Sequence, residues 1–163
     1  MKKVSLLVVL SMLVAAVALV TAGGALADHD PPDGSAVAPV FVPGKVSNDC
    51  AGGTKLDGSE DGGPTGDLDS GVYVFSIGGF TFNLQITVVQ TAMGPTFTFQ
   101  SLDPSEFLTG IYVKGGPNGS NFYDYSGQPG GGLGHDDGLH SPLNSNSGKW
   151  YGLSHICFFA DKK

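Results

Sequence analysis

The clearest pattern along the chain is a strict alternation of apolar and polar residues over residues 80–88. Its apolar members are Phe80, Phe82, Leu84, Ile86 and Val88, and each is separated from the next by a threonine or a side-chain amide. A period of two is typical of a β-strand with one face buried and the other in water. The segment therefore predicts a half-buried strand whose even-numbered residues face a core.

Shorter strand signals lie on both sides of this segment. Residues 72–77 are β-branched and aromatic, and Gly78-Gly79 after them is typical of a tight hairpin turn. Downstream, Phe97 and Phe99 repeat the alternation, residues 110–114 and 121–125 have strand composition, and residues 149–159 close the chain. No helical period is found after residue 27, and short strands in close succession favour an all-β fold, a single antiparallel β-sandwich.

The N-terminal residues have the features of a secretion signal. Lys2 and Lys3 precede an apolar run over residues 4–20, and Ala25-Leu26-Ala27 has the small residues that a signal peptidase recognises. We predict a cleaved signal peptide over residues 1–27 and a secreted or extracytoplasmic protein without stable membrane insertion. The alternative is an uncleaved anchor, for which about 20 apolar residues are usual.

The remaining chain divides into two parts of different composition. Residues 28–45 are rich in proline and predict a linker that contains at most an edge strand near residues 38–42. Residues 46–163 predict the β-sandwich domain. Within it, residues 51–71 and 115–148 are glycine-rich and are interpreted as long loops, which are often functional.

Charge restricts the class of partner. The 163-residue chain has 15 acidic and 8 basic residues and a formal net charge of −7, and all of its basic residues are lysines. Nucleic acids and anionic membranes are bound through basic patches. We therefore expect neither as a partner.

Two cysteines, Cys50 and Cys157, lie near the two ends of the predicted domain. In an oxidising compartment an even pair predicts a disulfide. The alternative is two separate buried thiols.

Histidines and carboxylates cluster in one glycine-rich segment. His135, Asp137 and His140 lie within six residues, and His155 on the last strand could add a third imidazole. These groups can ligate zinc, which makes a metal-dependent hydrolase or a metal-binding protein one hypothesis. The alternative is a polar turn in which Asp136 or Asp137 caps backbone donors.

An acidic segment over residues 57–69 raises the question of calcium. Asp57, Ser59 and Asp61 match the first ligand positions of an EF-hand loop, but Leu68 stands where the bidentate glutamate is required. A solvated loop is favoured. We therefore expect no cofactor, with calcium and zinc as the alternatives.

Aromatic residues flank the second glycine-rich region, namely Tyr123, Tyr125, Trp150 and Tyr151. Exposed rings on a sandwich can stack on sugars, so these four are candidate glycan-binding residues. The alternative assigns two of them to the core. No GxSxG motif is present, and Ser154 and His155 are neighbours that point to opposite faces of a strand, so nucleophilic catalysis has no support.

Three ordered motifs resemble a β module found in many secreted or surface bacterial proteins. They are VKGGPN followed by YDY over residues 113–125, DGLHSP over residues 137–142 and GLSHICF over residues 152–158. The module carries VKGGPN…YDY, DtGLHaP and GLSHisFC in this order. The resemblance implies a secreted β module without an assigned activity, with structural roles for His140 and His155 such as a hydrogen bond between the loop and the last strand. One departure is Cys157-Phe158, where the module often has the reverse order.

These observations favour a secreted, non-catalytic binding or surface-interaction module with a carbohydrate or cell-envelope partner. The alternatives are the metal-dependent hydrolase and a structural component of the envelope.

Overall fold

The computed structural model describes residues 34–44, 50–57 and 68–161, and within them the chain forms eleven β-strands and no helix. The predicted signal peptide and most of the acidic 57–69 segment lie outside the described residues. The prediction of an all-β, antiparallel sandwich is confirmed. No helix in the described part of the chain is long and apolar enough to cross a membrane.

Two antiparallel sheets and one small hairpin contain all the strands. A five-stranded sheet has the order β1-β7-β6-β11-β2, a four-stranded sheet has the order β3-β4-β5-β8, and β9 pairs with β10. The strands are β1 (Val40–Pro43), β2 (Thr54–Asp57), β3 (Gly71–Ile77), β4 (Phe80–Gln90), β5 (Pro95–Ser101), β6 (Leu108–Lys114), β7 (Gly119–Asp124), β8 (His135–His140), β9 (Leu143–Asn144), β10 (Lys149–Trp150) and β11 (His155–Ala160).

The alternation in β4 has the predicted orientation. Phe82, Leu84 and Ile86 are buried, while Thr87 between the inward positions is exposed. The predicted turn at Gly78-Gly79 joins β3 to β4, and both glycines have positive φ, +58° and +86°. A two-residue turn of this kind needs left-handed backbone at both positions, which glycine adopts without strain.

The core lies between the two sheets. The four-stranded sheet supplies the inward residues of β4 together with Phe97, Phe99 and Leu139, and the five-stranded sheet supplies Ile111, Tyr123, Ile156 and Phe158. Phe75 of β3 packs on Phe158 across the layer, with ring centroids 5.0 Å apart. Burying these side chains is the main favourable contribution to the stability of the sandwich.

Residues 135–140, interpreted from the sequence as a polar turn, form strand β8. Its residues pair with β5, and a register shift near Gly138, where φ is +68°, interrupts the ladder. Asp136 and Leu139 point into the protein, whereas His135 and Asp137 are exposed. Because the inward-facing Asp136 is polar, β8 lacks the alternation of apolar and polar residues that predicts a strand.

Residues 34–44, within the predicted linker, lie against the sandwich. Strand β1 is an edge strand paired with β7, and the Ala36 N–H donates to Asp136 at 2.7 Å. At the opposite side of the five-stranded sheet, the disulfide between Cys50 and Cys157 is present, as predicted, with Cα atoms 5.5 Å apart.

Candidate functional site

The outer surface of the four-stranded sheet is open and uncharged over three adjacent strands, and we call it the neutral face. Alternation turns the apolar residues of β3–β5 inward, so their hydroxyl, amide and valine side chains point outward. The neutral face consists of Val72, Val74, Ser76, Thr81, Asn83, Gln85, Thr87, Val89, Thr98 and Gln100.

The absence of charge on this face is unusual for so acidic a chain. Residues 70–102 contain no Asp, Glu, Lys or Arg, and the interval ends at Asp69 on one side and Asp103 on the other. Among the described residues, carboxylates occur only at the margins of the neutral face, where Glu106 accepts the Asn83 N–H at 3.3 Å and Asp137 is exposed on β8. The hydrophobic pattern does not reveal this face, but the interval between charged residues would have indicated it.

The geometry of the sheet sets the spacing of the polar groups on the neutral face. Neighbouring strands lie about 4.8 Å apart, and side chains on the same face repeat about every 6.8 Å along a strand. The Gln85 amide is held in one orientation because Nε2 donates to the carbonyls of Gly71 and Ile86, each at 3.2 Å. The result is a flat array of hydrogen-bonding groups interspersed with valine methyls.

The four candidate metal ligands are not brought together. His135 and Asp137 are exposed on β8, His140 is buried, and His155 lies on β11 of the other sheet. His135 Nδ1 lies 3.0 Å from the Phe99 carbonyl oxygen. Among residues 34–44, 50–57 and 68–161, no group of three or more His, Cys, Asp or Glu side chains could hold a metal ion.

His140 is fixed by neighbouring strands. Its ring stacks on Trp150 with centroids 4.0 Å apart, and its Nδ1 lies 2.8 Å from the Ser141 carbonyl. Its backbone N–H donates to the Tyr123 hydroxyl at 2.9 Å, and its carbonyl accepts the Asn121 amide at 3.1 Å. These contacts link β8 to β7 and β10, and His155 shares none of them.

The four candidate aromatic residues do not form an exposed platform. Tyr123 and Tyr125 are fully buried, and Trp150 is buried against His140. Tyr151 is half-buried, and a Cβ at Gly116 would lie 2.6 Å from its ring. The protein therefore encloses three of the four rings, Tyr123, Tyr125 and Trp150, and leaves Tyr151 partly accessible.

Asp136, interpreted from the sequence as a candidate cap of a turn, is a buried carboxyl. Its oxygens accept the Ala36 N–H at 2.7 Å, the Asp137 N–H at 2.9 Å and the Tyr125 hydroxyl at 2.8 Å. Burial raises the pKa of Asp136, and burial together with the nearby Asp136 charge raises the pKa of Tyr125. The pair closes the edge of the sandwich between β7 and β8, and both groups are enclosed.

Residues from the three sequence motifs, over 113–125, 137–142 and 152–158, meet at one end of the sandwich. The Ser141 hydroxyl donates to the Tyr151 carbonyl at 2.5 Å, and both the N–H and the hydroxyl of Ser154 donate to the Lys114 carbonyl. A Cβ at Gly115 would lie 2.4 Å from the Gly152 carbonyl. The motif residues therefore hold neighbouring backbone segments together through hydrogen bonds and close contacts.

In the part of the chain that the structure describes, two buried polar atoms lie on the outer face of the five-stranded sheet without a hydrogen-bond partner, His155 Nε2 and Ser120 Oγ. The strand registers place Asp57, His155, Lys114 and Ser120 in one row across the sheet. Lys114 lies between His155 and Ser120, so the two do not form a base and nucleophile pair. Burial lowers the pKa of His155, and the charges of Lys55 and Lys114 lower it further.

A cleft of about 280 Å³ opens at the end of the sandwich where β3 turns into β4. Phe80, Phe82 and Phe107 line it, with the carboxylates of Glu106 and Asp161 at its margin. No described polar group is buried in it without a partner.

Comparisons with known proteins leave the chain without an assigned family. No family model, no curated protein and no solved structure matches it. Its function therefore has to be inferred from the chemistry of its own surfaces.

Proposed function

We propose that the protein is a secreted, non-catalytic binding module whose neutral face binds an uncharged glycan of the cell envelope. One observation carries the proposal: the charge-free residues 70–102 fold into three adjacent strands and present hydroxyl, amide and methyl groups on one open face. In an acidic chain, this is the surface on which a neutral polar ligand meets no charge.

The chemistry of the neutral face matches that of a neutral polysaccharide. Sugar hydroxyls donate and accept hydrogen bonds, and so do the side chains of Thr87, Thr98 and Gln100. The C–H faces of sugar rings can pack on Val72 and Val74. Because no ionised group has to lose its water, contact with this face avoids the large cost of desolvating a charge.

Localisation and the lack of catalysis are the remaining parts of the proposal. The leader over residues 1–27 and the Cys50–Cys157 disulfide support export to an oxidising compartment. The hydrolase alternative would need His135, Asp137, His140 and His155 to converge, and they lie on different faces and sheets.

The proposal is tested by measuring binding of the purified protein to neutral cell-wall polysaccharides by affinity electrophoresis. Gln100→Glu places a charge on the β5 side of the neutral face, directly across from Gln85 of β4, with little change in shape. Loss of one or two hydrogen bonds, each about 1 kcal/mol, predicts binding at least about fivefold weaker. Gln128→Glu is the matched control, because Gln128 lies in the loop between β7 and β8.

Retention of binding by Gln128→Glu and its loss in Gln100→Glu is the expected result. Equal binding by the two variants, or no retention of any neutral glycan by the unaltered protein, contradicts the proposal. Elemental analysis of the same preparation addresses the alternative, since one zinc per chain would favour the metalloprotein.

A further inference from the structure

The four edge strands of the two sheets are protected to very different degrees. An edge strand exposes backbone N–H and C=O groups to which another strand can add, and charges, proline, bulges or short length oppose this. Strand β1 has four residues and ends at Pro43, β2 has four residues and carries Lys55 and Asp57, and β8 has two aspartates and a register shift. Strand β3 has seven residues with no charge, no proline and an uninterrupted register.

The hairpin geometry identifies which groups of β3 face outward. Ile77 pairs with Phe80 across the two-residue turn, so these two residues exchange ladder hydrogen bonds, and alternate pairs back to Gly71 do the same. The backbone groups of Val72, Val74 and Ser76 therefore point away from β4. No strand of the described chain pairs with them.

The side chains at this edge are uncharged and accessible, and two of the three are valines. Val72 is 57% exposed and Val74 is 67% exposed, and Ser76 is also exposed. An edge that is long, regular, apolar and uncharged has the properties that favour strand addition.

We propose that β3 pairs antiparallel with β3 of a second copy of this chain. The two-fold axis that relates the copies passes between their Val74 residues. In this register Val74 faces Val74 of the second copy, and Val72 faces Ser76. All three outward-facing residues then form hydrogen-bonded pairs, so the interface has six backbone hydrogen bonds and one row of valine contacts. The two four-stranded sheets become one continuous sheet.

A second copy is the occupant because the edge is complementary to itself. The same three residues supply every donor and every acceptor, as an isologous interface requires. Each chain has a net charge of −7, so two copies repel each other where their charges meet. Strand β3 lies within the charge-free residues 70–102 and brings no charged residue to the contact. A single pair of strands buries less than the roughly 1,200 Å² of a stable interface, so we expect a reversible dimer that forms as concentration rises.

Cysteine cross-linking tests the register. Cα atoms of a hydrogen-bonded pair lie about 5.5 Å apart, within disulfide range. Val74→Cys should therefore give a covalent dimer under mild oxidation. The two copies of residue 72 would be offset by four residues, about 13 Å, so Val72→Cys should not cross-link while Val72→Cys combined with Ser76→Cys should. Equal cross-linking of the Val72 and Val74 single variants overturns the proposed register.

Sedimentation velocity over a concentration series tests the association itself. The unaltered protein should shift from the mass of one chain towards twice that mass, and Val74→Lys should remain at one chain. Val89→Lys is the control because Val89 is 52% exposed on the neutral face but belongs to β4. A monomeric unaltered protein at every concentration, or the same loss of association in both lysine variants, overturns the proposal. The contact uses the edge of β3 and leaves β4 and β5 open, so failure of glycan binding would not bear on it.

Discussion

At the residue scale, the backbone at one glycine determines the environments of two neighbouring aspartates. Gly138, with φ of +68°, lies where the β8 ladder shifts, so Asp136 and Leu139 both point inward although they are three residues apart. Asp137 is left outside as a consequence. Two aspartates adjacent in sequence therefore differ completely, one enclosed by three donors and the other in water.

His155 should make stability depend on pH. Burial first, and then the charges of Lys55 and Lys114, lower its pKa below the ordinary value of 6.5, opposed only by Asp57. In the unfolded chain the imidazole takes up a proton near pH 6.5, while in the folded chain it stays neutral to lower pH. The unfolded state then binds more protons, so the free energy of unfolding should fall as pH decreases below 6.5.

Urea denaturation above and below pH 6.5 measures this dependence. His155→Gln should flatten it, and His135→Gln should not, because His135 is exposed on β8. Identical pH dependence in the His155 variant and the unaltered protein would show that another group is responsible.

At the element scale, β4 shows how a local pattern determines burial. Its central inward residues Phe82, Leu84 and Ile86 are buried between the sheets, whereas Thr87 on the same strand is exposed. Truncation of an inward side chain leaves a cavity in the core, whereas truncation of an outward side chain does not.

Leu84→Ala should lower the free energy of unfolding by about 2–5 kcal/mol, through lost burial and the cavity that remains. Leu84 is 0% exposed. Thr87→Ala on the neutral face should change stability by less than about 0.5 kcal/mol. Chemical denaturation of both variants measures the difference, and similar costs at the two positions would contradict the observed orientation of β4.

At the scale of the whole molecule, the two sheets are closed in different ways at their two sides. Hydrogen bonds from Asn121, Tyr123 and Tyr125 of the β7 side reach β8, and an apolar contact between Phe75 and Phe158 lies towards the β2 and β3 side. On the outer face of the five-stranded sheet, the disulfide joins the segment before β2 to β11, and its cysteines have a sequence separation of 107.

Removing the disulfide should destabilise the whole domain. Closing a loop of about 100 residues restricts the unfolded chain by an amount worth about 4.7 kcal/mol in the chain-entropy model. Urea denaturation with and without reductant should show a loss of this order, and Cys50→Ser combined with Cys157→Ser should reproduce it. Titration of two free thiols in the unfolded, unreduced protein would contradict the bond.

Sequence patterns were enough to predict the β class, the orientation of β4, the turn at Gly78-Gly79 and the inward positions of Phe97 and Phe99. These features depend on period-two alternation and on glycine in a left-handed turn, and both act over a few neighbouring residues. The disulfide was predictable as well, because only two cysteines are available to pair.

Strand β8, the burial of Tyr123 and Tyr125, and the separation of the candidate metal ligands depend on contacts between distant parts of the chain. Asp136 is inward because Ala36, 100 residues away, and Tyr125 supply its donors, and no local pattern contains that information. The neutral face and the open edge of β3 likewise exist only once β3, β4 and β5 lie side by side. Hydrophobic alternation determines which way a strand faces, but the partners that satisfy a buried polar group, or leave an edge unpaired, come from distant parts of the chain.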